Sequence, residues 1–109
     1  MAGSQVPILQ RIAGQYVAFA HEALTVSNAV KTLTAATYIV GERYSQAAFI
    51  TLEDADIRYT YDGTTPSATV GHLLTQGSAL TLMGHHDISN FKAYRAGSVD
   101  GTIHVTYEA

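Results

Sequence analysis

Hydrophobic and polar residues alternate with a period of two along most of this chain. Such alternation marks strands with one face buried and the other wet. Residues 16–20 and 23–26 carry it first, with Ser27-Asn28 as the following turn. In 47–52, Ala48, Ile50 and Leu52 share one face, while Phe49 and Thr51 share the other. The pattern is cleanest in 57–61, where Ile57, Tyr59 and Tyr61 point one way and Arg58 and Thr60 the other. Residues 79–83, 91–95 and 102–107 complete the series. In the last of these, Ile103, Val105 and Tyr107 form the inward face, and His104 and Thr106 fall outward. Residues 29–33 suit a strand or a helical turn equally, and helical periodicity is weak elsewhere.

Turn chemistry separates these runs. Asp62-Gly63 supplies a left-handed turn, and Pro66 stops a continuing ladder. Gly71, Gln76-Gly77-Ser78 and Gly84 break the middle of the chain, and Ala96-Gly97-Ser98 and Asp100-Gly101 join the last two runs. Short strands at about ten-residue spacing imply an all-β fold: a single Ig-like or jelly-roll-like β-sandwich of about seven short strands. That domain is expected over residues 15–109, after an N-terminal arm at 1–14. In the arm, Pro7 suits a first helical turn, and Val6, Ile8, Leu9 and Ile12 are too apolar to be left in water. These four residues are expected to pack on their own domain or on a neighbour, and they form the candidate partner interface.

Composition narrows the function. A chain of 109 residues makes one domain. Only 14% of residues are charged, against a usual share of about 25%. With 47% hydrophobic residues, this argues against disorder and for a surface partly covered by a partner. Six basic residues against nine acidic ones give a net charge of −3, which is no footprint for nucleic acid. The absence of cysteine excludes disulfides, thiolate metal sites and a thiol nucleophile. The start Met1-Ala2-Gly3-Ser4-Gln5 lacks the basic region of a secretory leader, and Gln10, Arg11 and Gln15 interrupt the apolar stretch that follows. Synthesis in the cytoplasm and no membrane partner are therefore expected.

Candidate chemistry is sparse. His85 and His86 are adjacent, so on a strand they would face opposite ways. His21, His72 and His104 show no zinc-type spacing. Glu53, Asp54 and Asp56 precede a strand and suit a solvated loop, and Asp62 suits a cap on its own turn. Arg58, Lys92 and Arg95 are expected on outward faces, in solvent. No Gly-x-Ser-x-Gly elbow, phosphate loop or dinucleotide fingerprint is present. The expectation is a protein that is not an enzyme and has no cofactor or metal. Among the seven tyrosines, Tyr59, Tyr61 and Tyr107 are expected in the core. Tyr38, Tyr44 and the loop 84–90 are the candidates for a sugar-binding surface.

The run Ile57-Arg58-Tyr59-Thr60-Tyr61-Asp62-Gly63-Thr64-Thr65-Pro66 resembles the opening of the chitobiase C-terminal type of β-sandwich module. Leu80-Thr81-Leu82, Phe91-Lys92-Ala93 and Val105-Thr106-Tyr107 stand where that family has its later strands. From Ala48 to Glu108 the chain is also similar to small proteins of tailed-phage and prophage structural gene clusters. The match is densest over 62–72 and continues through 91–95 and 104–107. This resemblance implies a virion protein made in the host cytoplasm, most simply a capsid decoration or cement protein. Its partner would be the major capsid protein or another virion protein, and it would assemble as a dimer or trimer of its own chain. A carbohydrate- or receptor-binding module, or a neck or tail component, is the alternative.

Overall fold

The computed structural model describes residues 16–109. The arm at 1–14, with Val6, Ile8, Leu9 and Ile12, lies outside the described residues. The elements run in the order β1 (Ala18–Val26), β2 (Lys31–Thr32), α1 (Ala35–Tyr38), β3 (Ile39–Val40), β4 (Arg43–Tyr44) and β5 (Ala47–Glu53). They continue with β6 (Ile57–Thr60), β7 (His72–Leu74), β8 (Ala79–Met83), α2 (His85–Ser89), β9 (Lys92–Arg95) and β10 (Gly101–Glu108). A first antiparallel sheet has the order β1-β10-β5-β8, and a second has β2-β9-β6-β7. β3 and β4 form a separate hairpin.

The chain is an all-β sandwich, as its alternation requires. β10 is central to the first sheet, and Ile103, Val105 and Tyr107 are fully buried along one side. They lie opposite Leu52, Ile50 and Ala48 of β5. From the second sheet, Ile57, Leu74 and Ala93 close the same core, joined by Phe91 and by Ile88 of α2. Each large side chain taken fully from water contributes roughly 1.5–3 kcal/mol.

Several local expectations need correction. Residues 16–20 and 23–26 do not make two strands, because β1 runs from Ala18 to Val26 along β10, with a bulge between Ala18 and Ala20. Glu22 disguised this continuity. It sits opposite Val105 on the inner side, where it accepts hydrogen bonds from the Tyr107 hydroxyl and the Thr34 amide. The break expected at Gly71 is followed directly by edge strand β7, and the loop expected at 84–90 contains α2. The ambiguous stretch 29–33 contributes the short strand β2.

Thr60 lies on the outer side with Arg58, as the alternation implies, yet it is buried. Residues 61–71 fold back over part of the outer side of the second sheet, at Arg58, Thr60 and Lys92, while Leu73 on the same side stays 48% exposed. The Thr60 hydroxyl donates to the Thr64 carbonyl at 2.5 Å, Lys92 Nζ to the Gly63 carbonyl at 3.2 Å, and Arg58 Nη1 to the Gly71 carbonyl at 3.3 Å. Pro66 is fully buried in this cover. Arg58 and Lys92 thus tie down a loop. Arg95 is not on the outer side, since it stands opposite Ile57 and pairs with Asp100 at 2.8 Å.

Asp62 does cap its own turn, with Oδ1 accepting from the Thr64 amide at 3.0 Å. The Thr64 hydroxyl and amide, with a smaller effect from His72, hold the Asp62 carboxyl below its ordinary value of 3.8. A depressed folded-state pKa means the stabilisation is present above the ordinary value and lost as pH falls through the folded one. An NMR titration should place the Asp62 midpoint below 3.8, with protection of the Thr64 amide lost over the same range. A midpoint at or above that value would contradict this account of the turn.

Candidate functional site

The two sheets differ on their outer sides. The second is covered in part by the chain's own loop, whereas no loop is tied down over the three rows of the first that follow. Antiparallel register lays the open side out as a grid. One row reads Thr25, Thr102, Glu53; the next Ala23, His104, Thr51, Ala79; the next His21, Thr106, Phe49, Thr81. The side chains are mostly small or β-branched, so the surface is flat. A fourth row reads Ala18, Glu108, Ala47, Met83. Across the four rows Glu53 and Glu108 are the carboxylates, and there is no lysine or arginine.

Local contacts stiffen this surface. His21 and His104 stack with ring centroids 5.8 Å apart. His21 Nδ1 lies 3.0 Å from the Thr106 hydroxyl, and His104 Nε2 lies 3.6 Å from Glu53 Oε1. Phe49 is 42% exposed in the middle of the sheet, and Met83 of β8 is 43% exposed. Comparable exposure occurs elsewhere, as at Leu73 and Val99, so these two side chains add apolar area to the face without marking it by themselves. β1, the strand nearest the arm in sequence, is an edge of this same sheet.

The other sequence candidates separate. Asp54 accepts from the Thr102 hydroxyl at 2.7 Å, and Asp56 from the Gln76 amide at 2.7 Å, so these acids bind loops together. His86 is exposed, whereas His85 packs edge-on against Tyr44 at 5.0 Å and Tyr38 at 5.8 Å. Tyr38 is itself buried and tilted against Tyr107, so it offers no open ring. Tyr44 remains exposed. Tyr107 is core as expected, and Tyr59 packs partly buried against the core. Tyr61 is not core, being 42% exposed beyond the end of β6. Among the described residues no three His, Asp or Glu side chains are placed to hold a metal ion, and no helix is long and apolar enough to cross a membrane.

Comparison with known proteins adds no relative: no protein-family model, no curated protein and no solved structure matches the chain. The class of molecule therefore rests on its fold and surfaces, which are those of an all-β sandwich with one sheet face partly covered by its own loop and the other open.

Proposed function

We propose that this chain is a structural protein of a tailed-phage virion, a decoration or cement protein that bridges major capsid subunits. The observation that carries this reading is the open outer side of the first sheet, which bears Glu53 and Glu108 but no lysine or arginine. A surface meant for solvent usually bears mixed charges, and depletion of charge is the mark of an interface centre. The assignment to a phage particle rests on the resemblance read from the sequence over 48–108, for which the comparisons supply no relative, and the low overall charge suits a partly covered surface.

Size sets the mechanism. Four strands about 4.8 Å apart, with about seven residues each at 3.3 Å, make a face of roughly 400 Å². A stable interface needs about 800 Å² per partner. The sheet face alone is too small, and the apolar residues Val6, Ile8, Leu9 and Ile12 of the arm supply the remainder by docking on a neighbour. Many copies on one particle, as dimers or trimers, then turn modest contacts into stable attachment.

Rebinding of the purified chain to particles stripped of it tests this. Phe49→Lys should weaken attachment tenfold or more, equivalent to about 1.4 kcal/mol, with the unfolding midpoint little changed. Deletion of residues 1–12 should abolish attachment. Undiminished binding by both variants would refute the proposal.

A further inference from the structure

A cavity of about 410 Å³ opens at the end of β6, lined in part by Tyr61, Asp62, Thr64, Val70, Gly71 and His72. Its volume falls in the range of roughly 300–1,000 Å³ usual for small-ligand clefts. One wall is the end of an aromatic ladder. Phe91 in the core stacks with Tyr59 at 5.8 Å, Tyr59 with Tyr61 at 6.3 Å, and Tyr61 with His72 at 5.9 Å. The interplanar angles along the ladder are 23°, 25° and 28°. Tyr61 is therefore an exposed ring braced by the core, and a braced ring loses little freedom on binding.

The backbone fixes the position of His72 in this cluster. Gly71 has φ +119°, and a Cβ there would lie 2.9 Å from the Tyr59 carbonyl oxygen. Only glycine lets the chain pass this close to β6 and place His72 across from Tyr59. Asp62, immediately after Tyr61, has its carboxylate oriented by the Thr64 amide. An aromatic face thus adjoins a fixed carboxylate, an imidazole and a threonine hydroxyl.

We propose that this cavity binds a neutral hexopyranose, its C–H face on the Tyr61 ring and its hydroxyls on Asp62 and His72. The electron-rich ring face attracts the weakly positive C–H groups of a sugar. An ionised carboxylate accepts strong hydrogen bonds from hydroxyls, and an imidazole can both donate and accept. That mixture of donors and acceptors beside an aromatic face suits a polyol. The site is independent of particle assembly and lies away from the first sheet's outer side. It is also not where the sequence pointed, at Tyr38, Tyr44 and 84–90.

The test is an NMR titration of the full chain with the methyl glycosides of glucose, galactose, mannose and N-acetylglucosamine. At least one should shift the Thr64, Gly71 and His72 amides saturably, with a dissociation constant on the order of 1–10 mM. Tyr61→Ala should weaken that binding about tenfold or more, Tyr61→Phe should retain it, and Asp62→Asn should weaken it severalfold. Unchanged Ile103 and Val105 amides establish that each variant is folded, and Asp62→Asn keeps the test decisive if Tyr61→Ala is not. The proposal fails if no glycoside saturates these amides, or if the folded Tyr61→Ala and Asp62→Asn variants bind as tightly as the parent. It also fails if arginine amide binds there more tightly than every glycoside, which would make the cavity a site for a cationic side chain.

Discussion

Replacing Tyr107 by alanine should destabilise the protein by about 3–5 kcal/mol, the usual result of emptying a large buried aromatic position. Domains of this size are stable by only about 5–15 kcal/mol, so the variant should be partly unfolded at moderate temperature. Tyr107 is fully buried and sits at a crossing. Its backbone pairs with Ala48 of β5 and Ala20 of β1, its ring packs on Tyr38, and its hydroxyl donates to Glu22. Glu22 also accepts the Thr34 amide just before α1, so one carboxylate joins β1, β10 and the start of α1. Tyr107→Phe keeps the packing and removes the hydroxyl, which should lower stability by about 1–3 kcal/mol because Glu22 loses a partner.

The pH dependence of this contact has a defined sign. Burial, then the bond to Glu22, raises the Tyr107 pKa far above its ordinary 10.0. A raised folded-state pKa gives stability that is complete below the ordinary value and lost as pH rises beyond it. Urea midpoints should therefore fall above pH 10, and fall less for Tyr107→Phe than for the parent. An equal fall in both would remove Tyr107 from the explanation.

The second large effect should come from the smallest residue in the core. Gly101 begins β10 opposite Val26. A Cβ there would lie 2.8 Å from the Ala55 carbonyl oxygen and 2.9 Å from Ile57 Cγ2. The first neighbour is backbone and cannot swing away, and the second is a fully buried side chain of the other sheet. Gly101→Ala should therefore lower stability by about 1–3 kcal/mol, the range for overpacking a close-packed interior. Denaturant unfolding checks this, and a variant as stable as the parent would mean that the 55–57 turn can yield.

The contrast between Tyr107 and Tyr61 shows what periodicity reveals and where it stops. Alternation places both on inward-pointing sides. Tyr107 is covered from both sheets, while Tyr61 lies past the end of β6, and no property of its neighbours in sequence announces that end. Strand β10 was readable because Ile103, Val105 and Tyr107 are all apolar. Strand β1 looks like two strands in the sequence because Glu22 interrupts its inner row, and its partner, the Tyr107 hydroxyl, is 85 residues away in the chain. The alternation gives the side on which Thr60 lies but not its burial, for a related reason. Its burial comes from 61–71 turning back on the sheet, and the turn itself was evident in Asp62-Gly63 while its direction was not.

The open sheet face was legible only in fragments. His104 and Thr106 were expected to face outward, as were Phe49 and Thr51. That they stand side by side with Ala23, Thr25, Ala79 and Thr81 depends on cross-strand register, which joins strands far apart in the chain. The sugar site was hidden in the same way, because His72 reaches Tyr61 through the pairing of β7 with β6.

The central claim is that this protein is part of a virion. Sedimentation of phage particles through a density gradient, with quantitative mass spectrometry of each fraction, tests it most directly. The account predicts that this chain follows the major capsid protein at a constant ratio through the particle peak. Finding it only in the soluble fractions at the top of the gradient would contradict the claim.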